Sequence, residues 1–201
     1  MSSLPLRSPL RSDDPRRLGR YTLAGRLGRG AQGVVYLART PDGRMVALKL
    51  LHEDRTARPG SRERLAKEAA TARRVRGRCT ARILDVDVSG PRPYIVSEYV
   101  AGPSLHRRVR ERGPLGGSAL DRLMIGSATA LVAIHSAGIV HRDLKPANVL
   151  LGPEGPRVID FGVAHVEDAS TTLTGAPIGT PAYMAPEQVA GDSAGCPADV
   201  F

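Results

Sequence analysis

The chain has 201 residues, of which 41% are apolar, and a net charge of +9, values that suit one folded domain or two lobes sharing a cleft. No apolar run approaches the roughly 20 residues that cross a bilayer. Cys79 and Cys196 lack the spacing of a zinc site or a disulfide framework. The basic residues are scattered without an aromatic stacking motif, so the sequence predicts a cytoplasmic protein without a nucleic-acid partner.

The first 20 residues are rich in Ser, Pro and Arg and show no hydrophobic periodicity, which predicts a disordered basic leader over residues 1–20. Folded structure is expected to begin near Tyr21. Strands are predicted at Tyr21–Leu27, Val34–Arg39 and Met45–Leu50, separated by a glycine-rich turn and a Thr-Pro-Asp-Gly turn. These runs indicate an antiparallel meander.

A helix and two further strands follow the meander. The spacing of apolar residues between Ser61 and Arg76 predicts an amphipathic helix. Strands are predicted at Ile83–Val88 and Tyr94–Tyr99, and a long helix at Ser118–Ala137. Five strands and one helix therefore form a small first lobe, and the pattern beyond it is mainly helical.

Three glycines between the first two predicted strands have the spacing of a phosphate-binding loop. The stretch reads G-x-G-x-x-G-x-V, with Gly28, Gly30 and Gly33 followed by Val34. Glycine has no side chain, so backbone N–H groups at these positions can approach phosphates. A strand on each side argues against the dinucleotide-binding version of the motif, in which the glycines open a helix.

Lys49 lies among apolar residues on the third predicted strand, in the sequence Val-Ala-Leu-Lys. An ammonium in such surroundings needs a negative partner, because burying an unpaired charge is costly. We expect nucleotide phosphates and a helix glutamate to supply it. Glu68 is the predicted glutamate, since Glu63 lies nearer the start of the helix and is expected to be a surface charge.

A second polar stretch, His-Arg-Asp-Leu-Lys-Pro-Ala-Asn, runs from His141 to Asn148 and is the predicted catalytic loop. Asp143 is expected to accept the proton of a substrate hydroxyl, and Lys145 to neutralise charge that moves with a phosphoryl group. Asn148 offers an amide oxygen to Mg²⁺. An Asp-Phe-Gly sequence twelve positions later offers the carboxylate of Asp160 to such an ion.

In this order and spacing, the motifs resemble those of the Hanks-type (eukaryotic-like) serine/threonine protein kinases, bacterial branch, over Tyr21 to Phe201. Tyr94 to Gly102 is similar to the hinge of that family, and Gly179 to Glu187 to the end of its activation segment. Lys145, two positions after the loop aspartate, is similar to the serine/threonine rather than the tyrosine branch. The resemblance implies an α+β, two-lobed protein kinase-like fold, with an antiparallel five-stranded N-lobe carrying one helix and an incomplete, mainly helical C-lobe.

The resemblance also implies sites for ATP and Mg²⁺. Adenine is expected to lie against apolar side chains and to bond the hinge backbone. Ser97 stands at the gatekeeper position, where larger residues are frequent, so an open pocket is expected behind adenine unless a bulky neighbour fills it. The implied ATP-binding residues are Leu27, Gly28, Gly30, Gly33, Val34, Ala47, Lys49, Glu98, Val100 and Leu150. The implied catalytic residues are Asp143, Lys145, Lys49 and Glu68, and the metal ligands are Asn148 and Asp160.

An activation segment is implied after the Asp-Phe-Gly sequence. Arg142 resembles a cation that pairs with a phosphate on that segment, which makes Thr172 and Thr174 the candidate phosphosites. Thr180 resembles the residue that contacts the catalytic loop and selects hydroxyl substrates. The implied partners are proteins bearing Ser or Thr, and self-association of two copies is one route to autophosphorylation in trans.

Asp199 resembles the aspartate that opens the central helix of the C-lobe, and the chain ends two residues later. A kinase domain over residues 21–201, with an N-lobe at 21–100 and a partial C-lobe at 101–201, is therefore expected to be incomplete at its C-terminus. One alternative is a catalytically impaired nucleotide-binding or regulatory fragment. Another is a kinase of small molecules such as aminoglycosides, against which the segment Gly179 to Glu187 argues. A full-length parent could be membrane-anchored.

Overall fold

The fold is that of a computed structural model, which describes residues 7–52, 59–162 and 181–201. A six-stranded antiparallel sheet with the order β1-β2-β3-β4-β6-β5 forms its first half. The strands are β1 (Arg17–Leu18), β2 (Tyr21–Gly30), β3 (Gly33–Arg39), β4 (Met45–Leu51), β5 (Ile83–Asp87) and β6 (Tyr94–Glu98). The five predicted strands are all present, and β1 is an addition that the sequence analysis did not predict.

One face of the sheet carries a cluster of buried tyrosine and aliphatic side chains. Val46 and Leu48 of β4 alternate with residues that face the other side, as expected of a strand with two different environments. Tyr21 and Tyr36 are almost fully buried, and the ring of Tyr21 meets that of Tyr94 edge to face at 6.0 Å. Aromatic pairs of this geometry add to the stabilisation that burial provides.

Residues 7–20 lie against this sheet, so the prediction of a disordered leader is wrong for the part of it that the structure describes. The backbone of Ser8 exchanges two hydrogen bonds with that of Arg26, at 2.9 and 2.8 Å. The buried carboxylate of Asp14 accepts hydrogen bonds from Arg26 Nε at 2.7 Å and from the Tyr36 hydroxyl at 2.5 Å. Composition misled the prediction because the charged residues of this segment pair with particular groups of the sheet.

Helix α1 (Ser61–Ala72) packs on the opposite side from the tyrosines and buries Leu65, Ala69 and Ala72. The predicted helix extended to Arg76, whereas the observed one ends four residues earlier. The chain tightens there, because the N–H of Arg74 bonds the carbonyl of Thr71 at 2.9 Å, an i to i−3 bond.

As far as the structure describes it, the second half of the fold consists of one long helix and two shorter ones around a β-hairpin. The elements are α2 (Leu105–Arg112), α3 (Ser118–Ser136), β7 (Val149–Gly152), β8 (Gly155–Val158) and α4 (Pro186–Ala190). Helix α3 packs closely on the hairpin at Gly126, where an added Cβ would lie 2.2 Å from Cγ of Pro156. No helix within the described ranges is long and apolar enough to span a membrane.

One hydrophobic core runs through both halves. It joins Leu65 of α1, Ile134 of α3, Val158 of β8 and the nearly buried ring of Phe161. A parallel bridge between Thr80 and Val158 also joins the two halves through the backbone. The residues between the halves are therefore fixed from both sides, and these include the predicted site.

Candidate active site

The glycine loop is the hairpin turn between β2 and β3. An added Cβ at Gly28 or Gly30 would meet no atom within 4 Å, so this side of the loop is open to a ligand. Gly33 differs, because its φ is +155° and a Cβ there would lie 2.0 Å from the carbonyl oxygen of Leu50. The first two glycines thus leave space over the cleft, and the third allows β3 to start directly beside β4.

Lys49 extends from β4 on the same side of the strand as Ala47, away from the tyrosine face. Its side chain is only 15% exposed, and its Nζ lies 3.1 Å from Oδ2 of Asp160. The same ammonium donates a hydrogen bond to Oε1 of Gln32, at 2.6 Å. The structure therefore brings together the strand lysine, the Asp-Phe-Gly aspartate and a residue of the glycine loop.

Glu68 is half-buried on α1, in the turn that also carries Leu65 and Ala69. Within the part of the chain that the structure describes, Lys49 forms an ion pair with Asp160. The pairing of Lys49 with Glu68 therefore stays a prediction.

The catalytic loop is held by contacts among its own polar residues. Lys145 Nζ lies 2.8 Å from the carboxylate of Asp143, and both side chains are about one-fifth exposed, at 21% and 18%. Asn148 donates from Nδ2 to the carbonyl of Asp143 at 2.8 Å and to its carboxylate at 3.2 Å. These bonds bring the three predicted loop residues together in a cleft wall that solvent reaches.

A buried carboxylate supports the loop from below. Asp199, whose side chain is fully buried, accepts hydrogen bonds from the backbone N–H groups of His141 and Arg142, each at 2.7 Å. His135, at the end of α3, places its Nε2 2.7 Å from the same carboxylate. These contacts hold Arg142 at a φ of +62°, a left-handed conformation that is unfavourable for a residue with a side chain.

Asp160 is positioned by the residues on either side of it. The N–H of Ile159 bonds the carbonyl of Asn148 at 3.0 Å, and Phe161 is buried in the core. Between these two anchors Asp160 adopts a φ of +60°, which is again left-handed. The carboxylate is therefore tied both to the catalytic loop and to Lys49.

The predicted adenine-binding residues lie on β2, β3, β4, β7, the end of β6 and the segment after it. The apolar ones are all half-buried, namely Leu27, Val34, Ala47, Val100 and Leu150. The side chain of Glu98 accepts a hydrogen bond from Nε of Arg82 at 2.6 Å. Glu98 and Val100 also border a groove of about 680 Å³ that includes Arg82. Contact of these residues with adenine stays a prediction.

A small cavity lies behind Lys49. Its lining includes Ser97, Ile83, Ile95 and Phe161, and its volume is about 40 Å³. That volume is of the order of one water molecule. The pocket expected from the small side chain of Ser97 is therefore narrow, because neighbouring isoleucines and the phenylalanine occupy much of the space.

The three predicted threonine sites, Thr172, Thr174 and Thr180, lie outside the described residues. The chain that follows them returns to the catalytic loop through Gln188 of α4. Its side chain donates to the carbonyl of Arg142 at 2.7 Å and accepts from the N–H of Ala185 at 3.1 Å.

Three polar side chains of this site were not predicted from the sequence. They are Gln32, His135 and Gln188, whose partners lie 17, 64 and 46 residues away along the chain. Gln32 is the one with a local signal, since it lies inside the glycine motif.

Comparisons with known proteins agree with this geometry. The family model described as protein kinase domain matches residues 21–201. The chain is 48% identical over 194 residues to the probable serine/threonine-protein kinase PkwA of Thermomonospora curvata, covering 96% of this chain and 26% of PkwA. It is 47% identical over 180 residues to the serine/threonine-protein kinase AfsK of Streptomyces coelicolor, covering 89% of this chain and 22% of AfsK.

The chain thus spans about a quarter of the length of these curated relatives. Among solved structures, the kinase domain of Mycobacterium tuberculosis PknI superposes with a TM-score of 0.70 at 29% identity, over 96% of this chain and 73% of that domain. Sequence and fold comparisons therefore point to the same kind of protein.

Proposed function

The chain belongs to the protein kinase family, and on that basis we propose that it transfers the γ-phosphoryl group of ATP to serine or threonine hydroxyls of proteins, with Mg²⁺ as the required ion. The observation that carries the proposal is a connected pair of charged contacts. These contacts are two ion pairs, Asp143 with Lys145 and Lys49 with Asp160. They are linked by the hydrogen bond from the N–H of Ile159 to the carbonyl of Asn148 in the catalytic loop. The first contact suits proton transfer from a hydroxyl, and the second suits phosphate binding.

The residues present fit a magnesium ion shared with a triphosphate. Asn148 donates from Nδ2 to Asp143, so its amide oxygen is the atom that can face a metal. Asp160 adds a carboxylate beside Lys49. Mg²⁺ is usually bound by one or two such oxygens together with substrate phosphates. When bound, it supplies positive charge that stabilises the charge developing on the phosphates.

The chain's own residues have separate roles in proton transfer, phosphate binding and positioning. Asp143 orients the substrate hydroxyl and accepts its proton, and Lys145 neutralises the charge on the transferred group. Lys49 binds phosphate oxygens through its ammonium. Asp199 holds the loop backbone at the geometry this requires, through its two bonds from backbone N–H groups.

The substrate class and the mode of regulation are part of the same proposal. Lys145 in the catalytic loop and Thr180 in the activation segment support serine and threonine acceptors. We expect Thr172 and Thr174 to be autophosphorylated, with two copies associating so that one modifies the other. Because ATP is the donor, the chain is expected to act in the cytoplasm.

The test is incorporation of radiolabelled phosphate from Mg²⁺-ATP into the purified chain and into a library of Ser- and Thr-containing peptides. The Asp143→Asn variant is expected to lower incorporation by about 10²- to 10⁴-fold, the usual contribution of a positioned base. Asp192→Asn makes the same chemical change at an exposed carboxylate outside the loop and is the matched control.

Label on phosphoserine or phosphothreonine, present in wild type and the control but lost in Asp143→Asn, would support the proposal. Equal label in all three chains would contradict the role of Asp143. A folded wild-type chain that binds ATP without transferring phosphate would support the nucleotide-binding fragment instead.

A further inference from the structure

The tip of the glycine loop contacts the phosphate-binding lysine. Gln32 lies between Gly30 and Gly33, and its Oε1 accepts a hydrogen bond from Nζ of Lys49 at 2.6 Å. Its backbone carbonyl accepts a second bond, from the N–H of His52 just after β4, at 3.2 Å. The loop tip is thus attached to the strand that carries Lys49 by both side chain and backbone.

The geometry of Lys49 limits how many acceptors it can serve. A lysine ammonium has three N–H donors. In this structure one points to Gln32 and another to Asp160 at 3.1 Å, and the side chain is 15% exposed. An oxygen of a bound phosphate would accept a hydrogen bond from the same ammonium, which it approaches from the side that the glycine loop covers.

We propose that the Gln32 side chain is an exchangeable ligand of Lys49, which holds the ammonium in place until a nucleotide phosphate displaces it. This inference rests on the proposed binding of ATP. A phosphate oxygen displaces the amide because a charged acceptor forms the stronger bond with an ammonium. Asp160 remains, since it is itself charged and is fixed by the core on one side and the catalytic loop on the other.

Gln32 therefore sets how strongly the site distinguishes phosphorylated from unphosphorylated adenine compounds. Adenosine has no phosphate, so it can bind while the hydrogen bond between Lys49 and Gln32 stays in place. ATP competes with the amide oxygen for Lys49, so part of its interaction with the lysine is offset. The identity of this one loop side chain should change ATP affinity without changing adenosine affinity.

Two substitutions with opposite expected effects test the proposal. Gln32→Leu keeps a side chain of similar length and removes the acceptor, so ATP should bind roughly three- to tenfold more tightly. Gln32→Glu puts a carboxylate beside the ammonium, so ATP should bind at least about tenfold more weakly, because the pair is stronger and the new charge repels phosphates. Adenosine affinity should change by less than about twofold in both.

The measurement is isothermal titration calorimetry of the full chain with ATP and with adenosine, without metal ions so that Lys49 is the main cation involved. Asp192→Asn alters an exposed side chain outside the cleft and should leave the ratio of ATP to adenosine affinity as in wild type. Unaltered adenosine binding would also show that each variant retains its folded cleft.

Equal ATP affinities in wild type, Gln32→Leu and Gln32→Glu would overturn this proposal and leave the proposed kinase function intact. Parallel changes in ATP and adenosine affinity would also overturn it, because they would indicate a change in the adenine site. A wild-type chain that binds adenosine but not ATP would overturn both the exchange at Lys49 and the proposed function.

Discussion

Two carboxylates of this chain have similar partners and different surroundings. Asp14 lies 2.5 Å from Arg26, and Asp143 lies 2.8 Å from Lys145. The side chain of Asp14 is 2% exposed, whereas that of Asp143 is 18% exposed. A carboxylate enclosed by protein donors can only stabilise the fold, while one in a cleft wall retains room for a substrate hydroxyl.

The enclosed network also fixes the ionisation of its members. The hydrogen bond from Arg26 holds the pKa of Asp14 well below its ordinary value, against the opposite effect of burial. Burial and the hydrogen bond to Asp14 raise the pKa of Tyr36 to about 12. Neither group changes its charge near neutral pH, as a structural role requires.

Asp199 gives the largest test of this comparison, because it is as enclosed as Asp14 yet lies under the catalytic loop. Asp199→Asn replaces the charged acceptor by a neutral amide. The NH₂ group of that amide would face one of the N–H donors that the carboxylate now accepts from. We expect the free energy of unfolding to fall by about 3 kcal/mol, since several charged hydrogen bonds are weakened at once. Phosphate transfer should fall as well. Urea denaturation and label incorporation measure the two effects.

Asp192→Asn is the matched control here too, because it changes an exposed carboxylate only seven residues earlier in the chain. If Asp199→Asn lost activity with unchanged stability, the carboxylate would belong with Asp143 rather than with Asp14. If it changed neither, the contacts with His141 and Arg142 would not be what holds the loop.

The solvent-accessible site around Asp143 is the part of this comparison that could be predicted from the sequence. Lys49, Asp143, Asn148 and Asp160 lie in motifs whose order and spacing indicate their chemistry. The five main strands were also predicted, because residues that alternate between two environments leave a period of two in the sequence.

The buried contacts of Asp14 and Asp199 could not be predicted in this way. Asp14 and Tyr36 are 22 residues apart, and His135 and Asp199 are 64 apart, so neither pairing produces a local pattern. The packing of residues 7–20 on the sheet depends on such pairs, whereas a composition rich in Arg, Ser and Pro predicts a disordered tail. Long-range polar contacts need the fold before they can be identified.

Asp14 itself gives the next largest effect. At pH 7, Asp14→Asn should be about 2 kcal/mol less stable than wild type, because charged hydrogen bonds from Arg26 and Tyr36 become weaker ones. A carboxylate whose pKa is lowered in the folded state stabilises it fully above its ordinary pKa of 3.8. That stabilisation is lost progressively as the pH falls below this value toward the lower folded pKa.

The measurement for Asp14 is urea denaturation of both chains at several pH values. The difference in stability between wild type and Asp14→Asn should be constant from pH 7 to about pH 5 and should shrink on further acidification. A difference that did not depend on pH down to the acid limit of folding would mean that the carboxylate charge is not what stabilises this segment.

The smallest expected effect is the difference between two Tyr→Phe substitutions, each of a tyrosine that donates to an aspartate. Tyr36 donates its hydroxyl to Asp14 at 2.5 Å, and Tyr21 donates to Asp85 at 2.6 Å, but the side chain of Asp85 is 29% exposed. Tyr→Phe removes the donor in each case, and at Tyr21 it also removes an acceptor of the exposed Arg20 side chain. Water can replace the lost donor at Asp85 and cannot reach Asp14, where the carboxylate would keep an unmet acceptor site.

Tyr36→Phe should therefore lower the free energy of unfolding by about 2 kcal/mol, and Tyr21→Phe by about 1 kcal/mol or less. Urea denaturation at pH 7 with a common slope for all chains resolves a difference of this size. Equal losses would show that enclosure of the aspartate does not decide the strength of the contact. A larger loss at Tyr21 would mean that its hydroxyl, which also accepts hydrogen bonds from Arg20, stabilises the fold more than the hydroxyl of Tyr36 does.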